Sequence, residues 1–226
     1  MIKLHQVSFQ YTEQENILNN ASLTFNPNKI TVVLGRNGIG KTTLLSLVDG
    51  FLTANTGTIE VSENPLFIYD QPYLYEYLTG AEYLELIKDI HTEPITVDID
   101  KLIKDLELSD AMNKLIANYS LGMKHKLALL SGLILDYNLY LIDEPLTALD
   151  PDSQAFMIDL FKDLRRSGKT FVISTHMLNV AYELADEIVI FRNRKLEKHE
   201  NKFTSLKAFE EFVIHSLRAE VTKDSE

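Results

Sequence analysis

Residues 35–42 read G-R-N-G-I-G-K-T and directly follow the apolar run Ile30–Leu34. This order matches the phosphate-binding pattern G-x-x-x-x-G-K-[ST], which requires a strand before the loop and a helix after it. The glycines let successive backbone N–H groups turn inward toward a phosphate, and the positive end of a helix at 41–47 faces the same anion. The sequence therefore predicts a nucleoside triphosphate site in an α/β fold.

Two side chains of this loop have specific roles in the pattern. We expect the ammonium group of Lys41 to lie near the β- and γ-phosphates and the hydroxyl of Thr42 to bind Mg²⁺. A plain glycine-rich turn between a strand and a helix needs neither residue. The candidate nucleotide-binding residues of this segment are Gly35, Arg36, Asn37, Gly38, Ile39, Gly40, Lys41, Thr42 and Thr43.

The composition restricts the class of protein. The chain has 226 residues, 45% of them hydrophobic, a net charge of −11 and no cysteine. These values allow one substantial core and exclude disulfides and cysteine-based metal sites. An acidic chain is a poor candidate for holding nucleic acid by its backbone. No apolar stretch approaches the ~18 residues of a membrane span, and the first residues lack a secretory signal. We therefore expect a soluble chain, or one bound to a membrane only through a partner.

The negative charge is concentrated between Glu60 and Asp110, where Asp and Glu far outnumber Lys. One interpretation is a helical face that is simply solvated. The other is a surface that attracts a basic partner, and the sequence alone leaves both open.

Periodicity divides the chain into alternating strands and helices. Strands are predicted at 2–9, 21–25, 30–34, 58–61, 65–69, 139–142, 170–173 and 187–191. Helices are predicted at 41–47, 122–135, 152–167, 177–185 and 206–217, with a helical stretch over 73–118 that Pro94 divides. This alternation favours a mostly parallel sheet covered by helices, with the stretch 73–118 inserted into it.

The run L-Y-L-I-D-E-P at 139–145 is an apolar strand that ends in two carboxylates, Asp143 and Glu144. In an open parallel sheet, ligands bind beyond the carboxyl ends of the strands. Asp143 is therefore a candidate Mg²⁺ ligand, directly or through water. Glu144 is a candidate general base, or a group that orients the attacking water.

Three further residues are candidates on weaker grounds. His176 follows the predicted strand 170–173 and can donate a hydrogen bond to the γ-phosphate. Gln71 follows the strand 65–69, and its amide can contact Mg²⁺ or the attacking water, although an ordinary loop glutamine fits equally well. Tyr11 can stack on a nucleobase, and an ordinary packed or surface tyrosine is the alternative.

Taken in order, these motifs resemble the ATP-binding cassette (ABC) family of ATPases over nearly the whole chain. The resemblance matches Tyr11 to the adenine-stacking aromatic residue, residues 35–42 to the Walker A loop and Gln71 to the Q-loop. It matches Asp143 and Glu144 to Walker B and its catalytic glutamate. Residues 148–150, ending in Asp150, match the D-loop, and His176 matches the switch histidine.

The family signature L-S-G-G-Q aligns with Y-S-L-G-M at 119–123. Ser120 and Gly122 keep their places, whereas Leu121 replaces a glycine and Met123 replaces the glutamine. In the family this segment binds the γ-phosphate held by the opposite subunit. The form found here is similar to that of bacitracin- and lantibiotic-type exporter ATPases.

The resemblance implies a P-loop NTPase core with a mostly parallel sheet, an antiparallel β subdomain and an inserted α-helical subdomain. It implies one ABC domain over 1–226, with the core and β subdomain at 1–72 and 136–200, the helical and signature part at 73–135, and a C-terminal helix and tail at 201–226.

The function that the resemblance implies is ATP hydrolysis, with ATP and Mg²⁺ bound, in the service of a separate integral-membrane permease. The partners would be that permease and a second ATPase subunit, in a homodimer or a heterodimer, with no nucleic acid. The resemblance implies that the ATPase subunit lies at the cytoplasmic face of the cell membrane, bound through the permease. Two alternatives stay open, a soluble ABC ATPase that is not coupled to transport and a nucleotide-sensing interaction module. A GTPase is disfavoured because N-K-L-I at 113–116 lacks the Asp of the guanine motif.

Overall fold

The computed structural model describes residues 1–71, 73–91, 95 and 97–218. The strands are β1 Ile2–Gln10, β2 Asn16–Phe25, β3 Ile30–Leu34, β4 Thr56–Val61, β5 Leu66–Ile68, β6 Leu139–Asp143, β7 Thr170–Thr175, β8 Glu187–Arg192 and β9 Lys195–Glu200. The α-helices are α1 Lys41–Asp49, α2 Gly80–Ile90, α3 Ile99–Asp105, α4 Leu121–Leu133, α5 Pro151–Arg166, α6 Leu178–Leu184 and α7 Leu206–Arg218. Pro94 and the tail 219–226 lie outside the described residues, so the expectations for them stay untested.

Two sheets form the framework. The larger has six strands in the order β5-β6-β7-β3-β8-β9, parallel except for β9, which pairs antiparallel with β8. The smaller is antiparallel, with the order β2-β1-β4. The predicted fold class, a mostly parallel core with an antiparallel β part, is confirmed by this topology.

The large sheet is buried on both faces, as the continuous apolar sequence of its central strands requires. Along β6, Leu139 and Leu141 point to one face, toward α1 and the small sheet, while Tyr140 and Ile142 belong to the core on the other face. That second core includes side chains of α4, α5, α6 and α7. The carboxyl ends of β3, β5, β6 and β7 therefore share one edge of the sheet, between two packed layers.

Local capping explains where the helices near this edge begin. Helix α2 has a capping box, in which the Thr79 side chain accepts from the Glu82 N–H and Glu82 in return accepts from the Thr79 N–H. Ser120 caps α4, and Asp150 caps α5 with Pro151 at its first position. Each cap satisfies backbone donors that the first turn of a helix leaves unpaired.

Strands β2 and β9 differ most from the predicted strands. Strand β2 begins at Asn16, five residues before the predicted start, because its asparagine-rich first half still pairs with β1. Strand β9 was not predicted at all. Its sequence K-L-E-K-H-E is charged, as suits an edge strand, and so lacks the apolar run that marks a central one.

Candidate functional site: a phosphate loop beside two acidic strand ends

The loop between β3 and α1 is curled by its glycines. Gly38 and Gly40 have φ angles of +77° and +112°, which side chains rarely allow. A Cβ atom on Gly40 would lie 2.3 Å from Cγ2 of Ile17 in β2, so the small sheet packs directly against the loop. The Ile39 N–H donates to the Arg36 carbonyl at 3.2 Å and closes a turn. The predicted strand–loop–helix context is present.

Lys41 is buried at the start of α1. Its Nζ donates to the Gly35 carbonyl at 3.1 Å and lies 3.3 Å from Oε1 of Glu144. The loop backbone and an acidic strand end thus converge on one ammonium group. Pairing with the Glu144 carboxylate offsets part of the cost of burying this side chain.

Asp143 ends β6 and is buried, with 4% of its surface exposed. Its Oδ2 accepts a hydrogen bond from the Thr42 hydroxyl at 2.5 Å, and its Oδ1 accepts one from the Ser174 hydroxyl. Ser174 stands directly opposite Asp143 in the parallel register of β6 and β7. The sheet therefore fixes the position of the carboxylate, and Thr42 and Asp143, distant in sequence, meet at the phosphate loop.

Glu144 follows with a φ of +48°, an unusual value for a residue other than glycine. The Glu144 N–H donates to the Ser174 carbonyl at 3.0 Å, which holds the strained backbone in place. Its Oε2 lies 3.0 Å from Nδ1 of His176 and accepts from the Thr147 hydroxyl at 3.2 Å. Strain of this kind concentrates at functional sites.

These residues surround one cavity of about 290 Å³. The residues that line it are Tyr11, Glu15, Ile17, Asn37, Gly38, Gly40, Lys41, Thr42, Thr43, Asp70, Asp143 and Glu144. Gly35, Arg36 and Ile39 shape the loop without belonging to this lining. His176 reaches the site through its contact with Glu144.

Tyr11 lies at the cavity beside the start of α1. Its hydroxyl is 3.1 Å from Oγ1 of Thr43, and its ring packs edge-on against Phe9 with 4.9 Å between ring centroids. Half of the Tyr11 surface remains exposed. These contacts fix the ring while leaving aromatic surface for a planar ligand.

The donor set fits Mg²⁺. Thr42 and Asp143 offer two oxygens 2.5 Å apart, and Mg²⁺ prefers oxygen ligands supplied by a few side chains together with phosphates and water. Within the described residues there is no group of three or more His, Cys, Asp or Glu that could hold a metal by itself. Most of the remaining positions around a cation here would come from the nucleotide and solvent.

Gln71 does not belong to the cavity lining. It is exposed, whereas Asp70 lies among the lining residues. Burial raises the pKa of Asp70, and the charges of Asp143 and Glu144 act in the same direction, while His125 and His176 act against it. The residue after β5 that faces the acidic strand ends is therefore Asp70.

The predicted signature and D-loop residues lie outside this cavity but close to one another. A Cβ on Gly122 would come within 2.9 Å of the Ala148 carbonyl, just before Asp150. Asp150 forms an ion pair of 2.9 Å with Lys126 of α4. Hydrogen bonds from Ser153 and Lys126 hold the pKa of Asp150 well below its usual range.

A second ion pair ties α4 to the segment before α2. Nζ of Lys124 lies 2.5 Å from Oε1 of Glu76. The first turns of α4, which follow the cap residue Ser120, are thus joined to two neighbouring segments through Lys124 and Lys126.

Sequence reasoning missed Asp70, Ile17 and the role of Ser174. The parallel register of the strand ends would have placed Ser174 beside Asp143. Ile17 was missed because the first half of β2 was not predicted. Asp70 was missed because the adjacent Gln71 matched the family pattern.

Comparisons with known proteins identify the family of this chain. The family model described as "ABC transporter" matches residues 18–147. An uncharacterised ABC transporter ATP-binding protein of Nostoc sp. is 32% identical over 86% of the chain and 62% of its own length. The ABC-type transporter ATP-binding protein EcsA of Bacillus subtilis is 30% identical over 78% of each chain. This chain therefore spans less than two thirds of the Nostoc relative.

A solved structure has the same fold. The dimeric ATP-binding cassette MJ0796, in a post-hydrolysis state with ADP and Pi, superimposes with a TM-score of 0.79 at 22% identity, over 90% of this chain and all of the other. Among the described residues, no helix is both long enough and apolar enough to cross a membrane. On the family match and the Bacillus relative, the chain belongs to the ABC transporter family and contains its ATP-binding domain.

Proposed function

We propose that this chain binds ATP with Mg²⁺ and hydrolyses it as the ATPase subunit of a membrane transporter. The observation that carries the proposal is the meeting of Lys41, Thr42, Asp143 and Glu144 at one cavity. The family match supports ATP as the nucleotide. The unit that acts is one ABC domain with the parts 1–72 and 136–200, 73–135 and 201–226 expected above.

Different residues of the cavity would bind the phosphates, the base and the metal ion. The backbone of the curled loop and Lys41 bind the phosphates, and the ring of Tyr11 stacks on the nucleobase. Thr42 and Asp143 would hold Mg²⁺, which neutralises phosphate charge when bound. Phosphoryl transfer needs mainly positioning and charge stabilisation, so the arrangement supplies what the reaction requires.

Glu144 would orient the attacking water and accept its proton. Its carboxylate lies between Lys41 at 3.3 Å and His176 at 3.0 Å, so its position is fixed from two sides. Because the carboxylate of Glu144 can only accept, Nδ1 of His176 donates to it, and the other ring nitrogen can donate to a phosphate oxygen when the ring is the doubly protonated imidazolium. His176 thereby links the position of Glu144 to the γ-phosphate.

The assignment is tested by phosphate release from ATP. Glu144→Gln keeps the size of the side chain but removes the base, and we expect turnover to fall by ~10²–10⁴-fold while ATP binding persists. Glu211→Gln, a carboxylate on the remote helix α7, is the matched control and should keep wild-type turnover. Wild-type turnover in Glu144→Gln would refute the role of Glu144.

We propose a head-to-tail dimer in which Ser120 and Gly122 of one subunit complete the nucleotide site of the other, with Asp150 beside them. Within one chain these residues lie outside the cavity, and Ser120 stands at the start of α4, where backbone N–H groups favour an anion. Size-exclusion chromatography of Glu144→Gln with Mg²⁺-ATP should show a dimer. The same mixture with Ser120→Glu added should stay monomeric.

A membrane permease is the partner that the surface supports. An apolar groove of about 330 Å³ runs between β5, α2 and α4, and its residues include Leu74, Tyr83 and Ile87. Tyr73 on its rim is 96% exposed. Exposed aromatic surface of this kind suits a protein interface at the cytoplasmic face of a membrane. The signature form at 119–123 favours an exporter.

The acidic segment around this groove would attract the basic cytoplasmic loops of a permease. Glu82 is already engaged in the capping box of α2, and its hydrogen bonds with Thr79 lower the pKa of Glu82, so reversing its charge would also weaken the helix. Exposed Glu85 is the cleaner probe. Glu85→Lys should reduce co-purification with detergent-extracted membranes at low salt, and Glu211→Lys should not. Equal recovery of both variants, together with salt-independent binding, would contradict the steering role.

A further inference from the structure

Asp70 is a carboxylate that the proposed mechanism does not use. Strand β5 pairs in parallel with β6, and Ile68 stands opposite Ile142. Asp70 therefore lies two residues beyond the end of β5, as Glu144 lies two residues beyond Ile142. The topology delivers both carboxylates to the same edge of the sheet.

Asp70 and the next residue, Gln71, differ in their position relative to the cavity. Asp70 lines the same cavity as Lys41, Thr42 and Asp143, whereas Gln71 is exposed and lies outside the lining. Of the two, Asp70 is the one placed to act on a bound metal–phosphate group.

We infer that Asp70, rather than Gln71, acts at the cation of the bound nucleotide, so that this chain uses a negatively charged residue where a neutral amide was expected. The inference rests on the proposed function, because it requires a nucleotide in this cavity. It makes Asp70 a cation-binding residue and makes nucleotide binding unusually dependent on a divalent metal.

The charges of the cavity explain why nucleotide binding should depend on a divalent metal. Asp70, Asp143 and Glu144 bring three carboxylates to a cavity where Lys41 is the cationic side chain of the lining. The polyphosphate of ATP adds further negative charge, so without a divalent cation the three carboxylates repel the ligand. With the cation bound, the same carboxylates attract it. A neutral amide at position 70 would weaken both effects.

The test measures binding rather than turnover. Binding of the non-hydrolysable analogue AMP-PNP is measured by calorimetry, once with Mg²⁺ and once with EDTA, for the wild type, Asp70→Asn and Gln71→Ala. Asp70→Asn has the size and shape of the native residue, and Gln71→Ala is the matched neighbouring control. We expect Asp70→Asn to reduce the ratio of the two affinities about 10-fold, by weaker binding with Mg²⁺ and tighter binding with EDTA.

A direct metal readout accompanies this measurement. Mn²⁺ replaces Mg²⁺, and free Mn²⁺ is followed by electron paramagnetic resonance as it is titrated into the protein with AMP-PNP. Asp70→Asn should weaken Mn²⁺ binding about 10-fold, and Gln71→Ala should change it less than 2-fold. A purely structural role for Asp70 would not alter the dependence on metal.

The outcomes separate this inference from the proposed function. If the wild type binds AMP-PNP with Mg²⁺ but Asp70→Asn leaves both the affinity ratio and the Mn²⁺ affinity unchanged, the role of Asp70 is wrong and the ATPase assignment stands. If Gln71→Ala reduces the affinity ratio and the Mn²⁺ affinity as much as Asp70→Asn is expected to, Gln71 is the cation-binding residue instead. If the wild type binds no nucleotide under either condition, the proposed function and this inference both fail.

Discussion

The two glycines with positive φ in the phosphate loop differ in one respect that can be tested. A Cβ on Gly38 would meet nothing within 4 Å, whereas a Cβ on Gly40 would lie 2.3 Å from Cγ2 of Ile17. Alanine at Gly38 thus costs only the unfavourable backbone conformation. Alanine at Gly40 adds a collision with the small sheet.

The magnitudes follow from these two terms. A left-handed backbone costs an alanine ~1–2 kcal/mol, and the loss of glycine's freedom in the unfolded chain returns ~0.4–1 kcal/mol. Gly38→Ala should therefore lower the free energy of unfolding by about 1 kcal/mol. Overpacking adds ~1–3 kcal/mol, so Gly40→Ala should lower it by about 2–4 kcal/mol.

Urea unfolding without nucleotide measures the difference. With a slope of ~2–3 kcal/mol/M, the midpoint of Gly40→Ala should lie roughly 1 M below that of Gly38→Ala. Ile17→Ala removes the methyl group involved, so its combination with Gly40→Ala should cost less than the sum of the single variants. Equal midpoints for the two glycine variants, or strict additivity with Ile17→Ala, would refute the close approach of β2 to the loop.

Three further outcomes are expected. Lys41→Ala should weaken ATP binding at least ~10-fold in calorimetry, since a charge-assisted contact to phosphate is worth ~1.5–3 kcal/mol. Asp150→Ala should lower the free energy of unfolding in urea by ~1–2 kcal/mol through loss of the α5 cap, and Asp150→Asn, which can still cap, by less. Burial would raise the pKa of Glu187, but Lys29 and neighbouring donors lower it overall. Its stabilisation is therefore full above pH 4.5 and is lost as the pH falls below that value, so Glu187→Gln should lower Tm at pH 7 more than at pH 3.

The parts of the fold that follow a strong local pattern were predictable. The strand before the phosphate loop, Ile30–Leu34, has the predicted bounds, because a continuous apolar run between turn residues has few alternatives. Helix α1 was predicted to within two residues at its end. Strand β9 was not predictable in this way, because an edge strand with charged residues is defined by its partner β8 rather than by its own sequence.

The same distinction applies to the site. Lys41, Thr42, Asp143 and Glu144 belong to motifs whose spacing predicts their neighbourhood, and the structure brings them together. The choice between Asp70 and Gln71 depends on which of two consecutive residues turns toward the cavity. That choice is made by the pairing of β5 with β6, which no local pattern in the sequence reveals.

The two ion pairs at the start of α4 have a mechanical consequence. Lys124 holds Glu76, in the segment that borders the apolar groove, while Lys126 holds Asp150 at the start of α5. A partner that displaces the segment around Glu76 would therefore also displace the first turns of α4. The outer pair with Glu76 is the more exposed of the two and the more easily screened by salt. Raising the ionic strength should weaken the Lys124–Glu76 ion pair first. The protein would then still bind its nucleotide, but binding of a partner at the groove would move α4 less.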